Sequence, residues 1–237
     1  MTGSRQEMWD RGIGRRLLRV GLIALAVFLL LPYLLVVLYR FVDPPVSTLT
    51  LARYATLQPV FQHWTPYDDL SRNLVHAVLM SEDAKFCVHS GVDFDALRSV
   101  VDSLDDEDIQ TRGASTIAMQ TAKNLFLWPG QNYVRKALEI PLALWIDFVW
   151  PKRRIVEVYL NIAEWGDGVF GAAAATERHF GEGPSRLTPR QAALLAASLP
   201  NPLVRNPGRP GPGLSRLATR VEARARAAGP WVRCLEG

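Results

Sequence analysis

The residues from Val20 to Tyr39 read VGLIALAVFLLLPYLLVVLY and carry no charge. The hydrocarbon core of a bilayer is about 30 Å thick, and a helix rising about 1.5 Å per residue needs about 20 apolar residues to cross it. The run therefore predicts a transmembrane helix over 20–40. Pro32 is compatible with it, because neighbouring groups satisfy the carbonyl its ring leaves unpaired. A cleaved signal peptide is the competing reading, but its apolar stretch is shorter, about 7–15 residues, and ends at a small-x-small cleavage site. Here the run leads into Arg40-Phe41-Val42-Asp43. Arg11, Arg15, Arg16 and Arg19 precede the helix, while only Arg40 and Arg53 follow it closely. The positive-inside rule then predicts a cytoplasmic tail over 1–19 and a single-pass protein whose remaining residues face outward.

Those remaining residues are enough to bury a core of their own. With 49% hydrophobic and 21% charged residues, the chain has too much apolar and too little charged character to be disordered. Its 2 cysteines exclude a disulfide scaffold. Cys87 and Cys234 are candidates for a pair outside the cytoplasm, but a domain of this size does not need one, and two unpaired thiols are expected.

Residues 41–67, with Pro44-Pro45, Pro59 and Pro66, read as an irregular connector. Helical spacing then begins with Leu70, Leu74 and Val78, a stripe that continues to Glu82 and Phe86. The acidic run at 102–110 reads as a solvated loop, because it lacks the spacing and turn glycine of a calcium site. Helical patterns follow at 115–127, 132–149, 152–164 and 188–199, with Pro141 expected to kink the second. Thr188-Pro189 with Gln191 reads as a capped helix start. A Pro/Gly-rich linker and a short basic helix holding Arg216, Arg220, Arg224 and Arg226 occupy 206–237. The helix is expected to be solvated, and nucleic acid is excluded as a partner by the compartment. Strand alternation is scarce, so the fold class is mainly α.

Several chemistries are absent. There is no Gly-x-Ser-x-Gly elbow, no His-Glu-x-x-His, no P-loop and no Ser-x-x-Lys. His63, His76, His89 and His179 are too scattered for a metal cluster. What remains is acids, bases and amides. Glu82 closes an apolar stripe, where burial raises a carboxyl toward the range of a general base. The bland alternative is a structural ion pair with Lys85. Gly113 to Asn124 outlines a polar-capped helix start with Lys123 downstream, an anion site in form. Arg135, Lys136 and Glu139 sit within one turn, as do Lys152, Arg153 and Arg154. The first set reads equally well as an ordinary i,i+3 or i,i+4 salt bridge, and the second as a phosphate contact or a solvated surface.

Taken together, the segments SEDAKF with HSGVDFDAL, RGASTIAMQTAKNLFLW, YVRKALE, WPKRRIVEVYLNIAEWGDGVFGAAAA and LTPRQAALLAASLPNP resemble, in order and spacing, the peptidoglycan glycosyltransferase family. This is the transglycosylase domain of class A penicillin-binding proteins, here in its short, membrane-anchored, monofunctional form. The resemblance implies a lysozyme-like, two-lobed helical domain over 68–205 behind one N-terminal transmembrane helix, with the smaller lobe against the inner (plasma) membrane and the domain in the periplasm. It implies glycan polymerisation from lipid II, with the 4-hydroxyl of the acceptor sugar attacking the donor chain with inversion and releasing undecaprenyl pyrophosphate. Glu82 would be the base and Glu139 the second acid, orienting cations or a divalent ion (Mg2+ or Mn2+), with no organic cofactor. Asp83, Phe86, Ser115, Thr116, Gln120, Lys123, Asn124, Arg135, Lys136 and Lys152 would bind substrate. Lipid II, nascent glycan strands, the membrane and other wall-synthesis and division proteins would be its partners. Two positions depart from the family: Gln131 and Ser99 stand where many relatives carry a base, although Arg98 adjoins the second. The competing readings are a non-catalytic membrane-tethered scaffold and a lysozyme-like glycan hydrolase.

Overall fold

A computed structural model describes residues 3–102, 114–130 and 133–236. The acidic run, apart from Asp102, lies outside the described residues, as do Gly113 and Gln131. Ser99 is exposed on a helix, its hydroxyl bonded to the carbonyl of Asp95 at 2.8 Å. The chain is mainly helical. A long helix α1 (Gly3–Tyr39) leads to α2 (Thr48–Ala55), α3 (Arg72–Glu82), α4 (Phe94–Asp102), α5 (Ile117–Phe126), α6 (Tyr133–Val149), α7 (Lys152–Ile162), α8 (Ala172–Phe180), α9 (Pro189–Ser198) and α10 (Pro212–Arg226). Strands β1 (Phe61–Gln62), β2 (Glu164–Gly166) and β3 (Val169–Phe170) form one small sheet, with β3 central, parallel to β1 and antiparallel to β2.

The expected helix start at Thr188 forms as a full capping box, with Pro189 in the first turn. α6 runs unbroken through Pro141, which sits at an exposed position. The segment read as an irregular connector holds α2, whose Thr48 hydroxyl bonds the carbonyls of Asn124 and Leu127 at the end of α5. One lobe is α3, α9 and α10 packed on each other. The other is α5 and α6, with α7 lying against both helices. The basic C-terminal helix is not solvated as expected. Leu214, Ala218 and Val221 form a buried edge, which the surrounding Arg and Ala residues hide in the sequence.

The cysteines correct the sequence reading as well. Cys87 and Cys234, 147 residues apart, are disulfide-bonded with 5.5 Å between their Cα atoms. The chain brings them together because the 3-10 turn Gly229–Leu235 folds back and buries Val232 and Leu235. No local pattern in the sequence announces that return.

α1 holds an apolar stretch, Gly14–Tyr39, long enough to cross a membrane, and its surface is almost entirely open. Only its last two turns meet the domain, through backbone acceptors. Trp145 Nε1 donates to the Tyr33 carbonyl at 3.1 Å and Trp150 Nε1 to the Val36 carbonyl at 2.6 Å. Arg40 reaches the Val149 carbonyl at 2.6 Å, and Arg154 donates to the carbonyls of Tyr39 at 3.0 Å and Val42 at 2.9 Å. Tyr39 also stacks on Phe126, ring centres 6.2 Å apart. A chain starting at Leu31 keeps all of these partners, whereas one starting at Phe41 strands the Trp145 and Trp150 donors. An unmet buried donor costs about 1–3 kcal/mol. In detergent, the longer form should therefore melt like the full chain, and the shorter form should lose at least about 2 kcal/mol in denaturant titration.

Candidate active site

Glu82 is the last residue of α3, and the next residue fixes where it points. Asp83 is buried. One of its oxygens accepts the backbone N–H of Ile117, the first residue of α5, at 2.9 Å, and the other meets His89 Nε2 at 2.8 Å. A carboxylate at a helix N-terminus is favoured by the helix dipole and by the unpaired amides there. Thr116 completes the start of α5, accepting from Met119 N–H at 3.2 Å and donating to the Gly91 carbonyl. Gly91 has φ +78°, and a Cβ there would lie 2.4 Å from the Ala143 carbonyl oxygen, so only glycine allows this close approach.

With α5 pinned in that register, Gln120 faces Glu82. Its amide nitrogen donates to the Glu82 carboxylate at 3.0 Å, and its amide oxygen accepts from the buried Tyr159 hydroxyl at 3.1 Å. The phenol keeps its proton to donate here, since burial and the nearby Glu82 and Asp83 hold its pKa well above the usual value. It thereby orients the amide with its NH2 toward the carboxylate. Burial also raises the Glu82 carboxyl above the usual range, with Gln120, Ser81 and the Lys123 charge pulling it partly back. Lys85, the ion-pair alternative for Glu82, instead binds Asp93 at 3.3 Å.

One turn beyond Gln120, Lys123 lies between two clusters. On one side is Glu82. On the other, the buried Glu139 is gripped by Arg135 and, at 3.1 Å, by Lys136, whose ammonium also donates to Ser115 at 2.8 Å. Burial lowers the pKa of Lys123, and Arg135 and Lys136 add to that, while Glu139 and Glu82 oppose it. Among the described residues, no carboxylate lies within ion-pairing distance of the Lys123 ammonium. A cation that is desolvated and not directly paired is poised for an external anion.

The residues carried over from the sequence thus fall into two groups. Glu82, Ser115, Gln120, Lys123, Arg135, Lys136 and Glu139 converge. Asp83, Thr116, Phe86, Lys152 and Asn124 are placed as supports. Lys152 binds Asp147 at 2.6 Å and the His89 carbonyl at 2.8 Å, with its ammonium 4.6 Å above the buried Phe86 ring. Asn124 is buried at the α5–α2 junction. Tyr159 and His89 were not assigned roles from sequence. Tyr159 reaches the site through the packing of α7 on α5, and His89 through its ring on Asp83 and its carbonyl on Lys152.

The described residues do not by themselves form a cage for a divalent ion. Both oxygens of Glu139 are occupied by cations, and among the described residues no three His, Cys, Asp or Glu side chains converge to hold a metal.

Residues 50–227 match the family described as Transglycosylase. The chain is 52% identical over 223 residues to the biosynthetic peptidoglycan transglycosylase of Agrobacterium fabrum, covering 93% of this chain and 98% of that one. It is 53% identical over 220 residues to the protein of that description from Rhizobium meliloti, covering 92% of each, and 53% identical over 235 residues to that from Mesorhizobium japonicum, covering 96% and 98%.

The raised pKa of Glu82 has a consequence for stability. A carboxyl whose folded pKa lies above its unfolded value stabilises the fold fully only below the unfolded value, about 4.3 for Glu, and that contribution is lost as pH rises through the folded value. At neutral pH the ionised Glu82 is therefore a penalty on the fold. Glu82→Gln, which still accepts from Gln120, should melt higher than wild type at pH 8. In melts across pH, the gap should close as pH falls toward 4.

Proposed function

The chain belongs to the transglycosylase family, and from that premise we propose that it polymerises peptidoglycan glycan strands from lipid II, with Glu82 as general base. The observation that carries this reading is the half-buried Glu82 carboxylate oriented by Gln120, with Lys123 one turn away between Glu82 and the Arg135–Lys136–Glu139 cluster. Glu82 takes the proton of the acceptor sugar's 4-hydroxyl as that oxygen bonds to the anomeric carbon of the donor chain. The bond from that carbon to the pyrophosphate oxygen breaks, α inverts to β, and undecaprenyl pyrophosphate leaves. A positioned base contributes typically ~10²–10⁴-fold. The departing pyrophosphate gains charge, and Lys123, Arg135 and Lys136 supply fixed positive charge where that charge develops.

Neutralisation of the leaving group is assigned to these three side chains. In this reading Glu139 holds Arg135 and Lys136 in place, and its own buried charge keeps two adjacent cations from repelling each other out of the site.

The lipid side of the reaction rests on the anchor. The arginines ahead of α1 support an N-in orientation in the inner membrane, with the domain in the periplasm. Trp145 and Trp150 bind α1 at Tyr33 and Val36, within the apolar stretch, so the end of α6 lies at membrane depth. The exposed Leu144 and Phe148 beside it are suited to lipid contact. A lipid-linked substrate and the site then share one interface. A glycan hydrolase has no use for a desolvated cation beside its catalytic carboxyl.

The test is purified full-length protein in detergent or vesicles with lipid II, followed by separation of the glycan products. Glu82→Gln should lower turnover by at least ~10²-fold without loss of folding. Near-normal polymerisation by that variant would place the base elsewhere. Lys123→Gln should slow turnover by roughly ten- to a hundredfold, the equivalent of one charge-assisted contact of about 1.5–3 kcal/mol. In wild type, the acid limb of the pH profile should sit above the usual carboxylate range, because burial raises Glu82. Finished glycan should remain uncut.

A further inference from the structure

The disulfide has no part in the chemistry described so far, yet it lands on the catalytic segment. Cys87 follows Glu82 by five residues, in the stretch that leaves α3 and returns past His89 to Gly91. The inner side of that stretch is held by Asp83 on Ile117, by Phe86 under Lys152, by Lys152 on the His89 carbonyl and by Thr116 on the Gly91 carbonyl. Its outer side is open. Val88 is 69% exposed, and the half-exposed Lys85 pairs with Asp93, two residues past Gly91.

The cross-link closes a ring around this stretch. Lys152, the first residue of α7, binds His89. The C-terminal turn Gly229–Leu235 packs against α7, and Cys234 on that turn returns to Cys87, two residues before His89. The turn reaches the core only through Val232 and Leu235, while Trp231, Arg233 and Cys234 between and beside them stay exposed. Its Val232 and Leu235 form, with Arg72, His76 and Arg153, one wall of a cleft of about 560 Å³. Without the covalent link, the ring is open at its one exposed joint.

We propose that Cys87 and Cys234 are positioning residues for the glycosyl transfer, their disulfide holding the Glu82–Gly91 segment in register so that full turnover requires the oxidised form. The proposal rests on the function given above and on an outward-facing domain. Formation of the bond removes two electrons and two protons from the thiols, passed by thiol–disulfide exchange to a disulfide-bearing oxidant outside the cytoplasm. Cys234 is exposed and Cys87 half-buried, so a soluble dithiol can reach the bond and reverse it, taking up the same two electrons as its own disulfide forms. Misplacement of a reacting group by about 1 Å can cost ~10²-fold. Gln120 still holds Glu82 from the other side, so the expected loss is smaller.

The experiment uses full-length protein in vesicles, oxidised or treated with dithiothreitol, beside Cys87→Ser and Cys234→Ser. Alkylation and mass measurement report the thiol state. Reduction should lower kcat on lipid II three- to tenfold with KM unchanged, and reoxidation should restore it. The serine variants should match the reduced wild type and ignore reductant. Amide hydrogen exchange should quicken at least tenfold over residues 84–92 on reduction, with α5 and α9 unchanged. A reduced protein with kcat within twofold of the oxidised form and unchanged exchange over 84–92 overturns the proposal. So does a loss of kcat that only tracks the unfolded fraction in melts. An oxidised wild type inactive on lipid II would instead sink the assigned reaction, and the exchange measurement would still decide whether the cross-link holds the segment.

Discussion

Everything in the site is measured from one buried carboxylate. Asp83 ends α3 and begins α5, accepting the first amide of α5 on one oxygen and His89 on the other. A buried carboxylate is tolerated only when its oxygens are met, and removing one partner of such a pair typically costs several kcal/mol. This pin therefore fixes the register of α5 against α3. Glu82 lies one residue before it, and Gln120 lies three residues after Ile117. Slipping α5 by a single residue would turn Gln120 about 100° around the helix and away from Glu82. The glycine at 91, the threonine cap at 116 and the ammonium of Lys152 all reinforce that one setting.

The electrostatics follow from the same geometry. Two acids and three bases converge, but they are not interchangeable. Glu139 is saturated by Arg135 and Lys136, whereas Glu82 receives an amide hydrogen bond and a distant charge. One carboxylate organises cations and the other keeps its basicity. Lys123 feels both and is bound to neither within ion-pairing distance, which leaves its charge to be completed from outside.

Most of the longer helices were legible because their periodicity is strong, whereas the short α2 and α8 were not read as helices. The anchor, the stripe leading to Glu82 and the cap at Thr188 all appear where the spacing puts them. The strands were not, since two or three residues carry no alternation, and they exist because β3 has neighbours on both sides. The basic C-terminal helix concealed a three-residue apolar edge, and the disulfide joins positions that only the folded chain brings close. In the site, resemblance marked Asp83, Phe86 and Lys152 as residues that matter. It did not distinguish a side chain open to an incoming substrate from one that holds its neighbour, and here the three are occupied with each other and with the start of α5. Gln120 and Glu82 were both named, but the link between them, and the phenol that orients it, depend on α7 packing against α5.

The seat of α1 has a mechanical meaning. Because tryptophan and arginine side chains grip backbone carbonyls of Tyr33, Val36, Tyr39 and Val42, the domain is fastened at successive levels of α1, as to a graduated rod. A helix advances about 1.5 Å and turns about 100° per residue. In a bilayer spanned by α1, the count of apolar residues ahead of Tyr33 would set the altitude of Glu82 over the midplane, and lipid thickness would be converted into elevation and tilt of the candidate site.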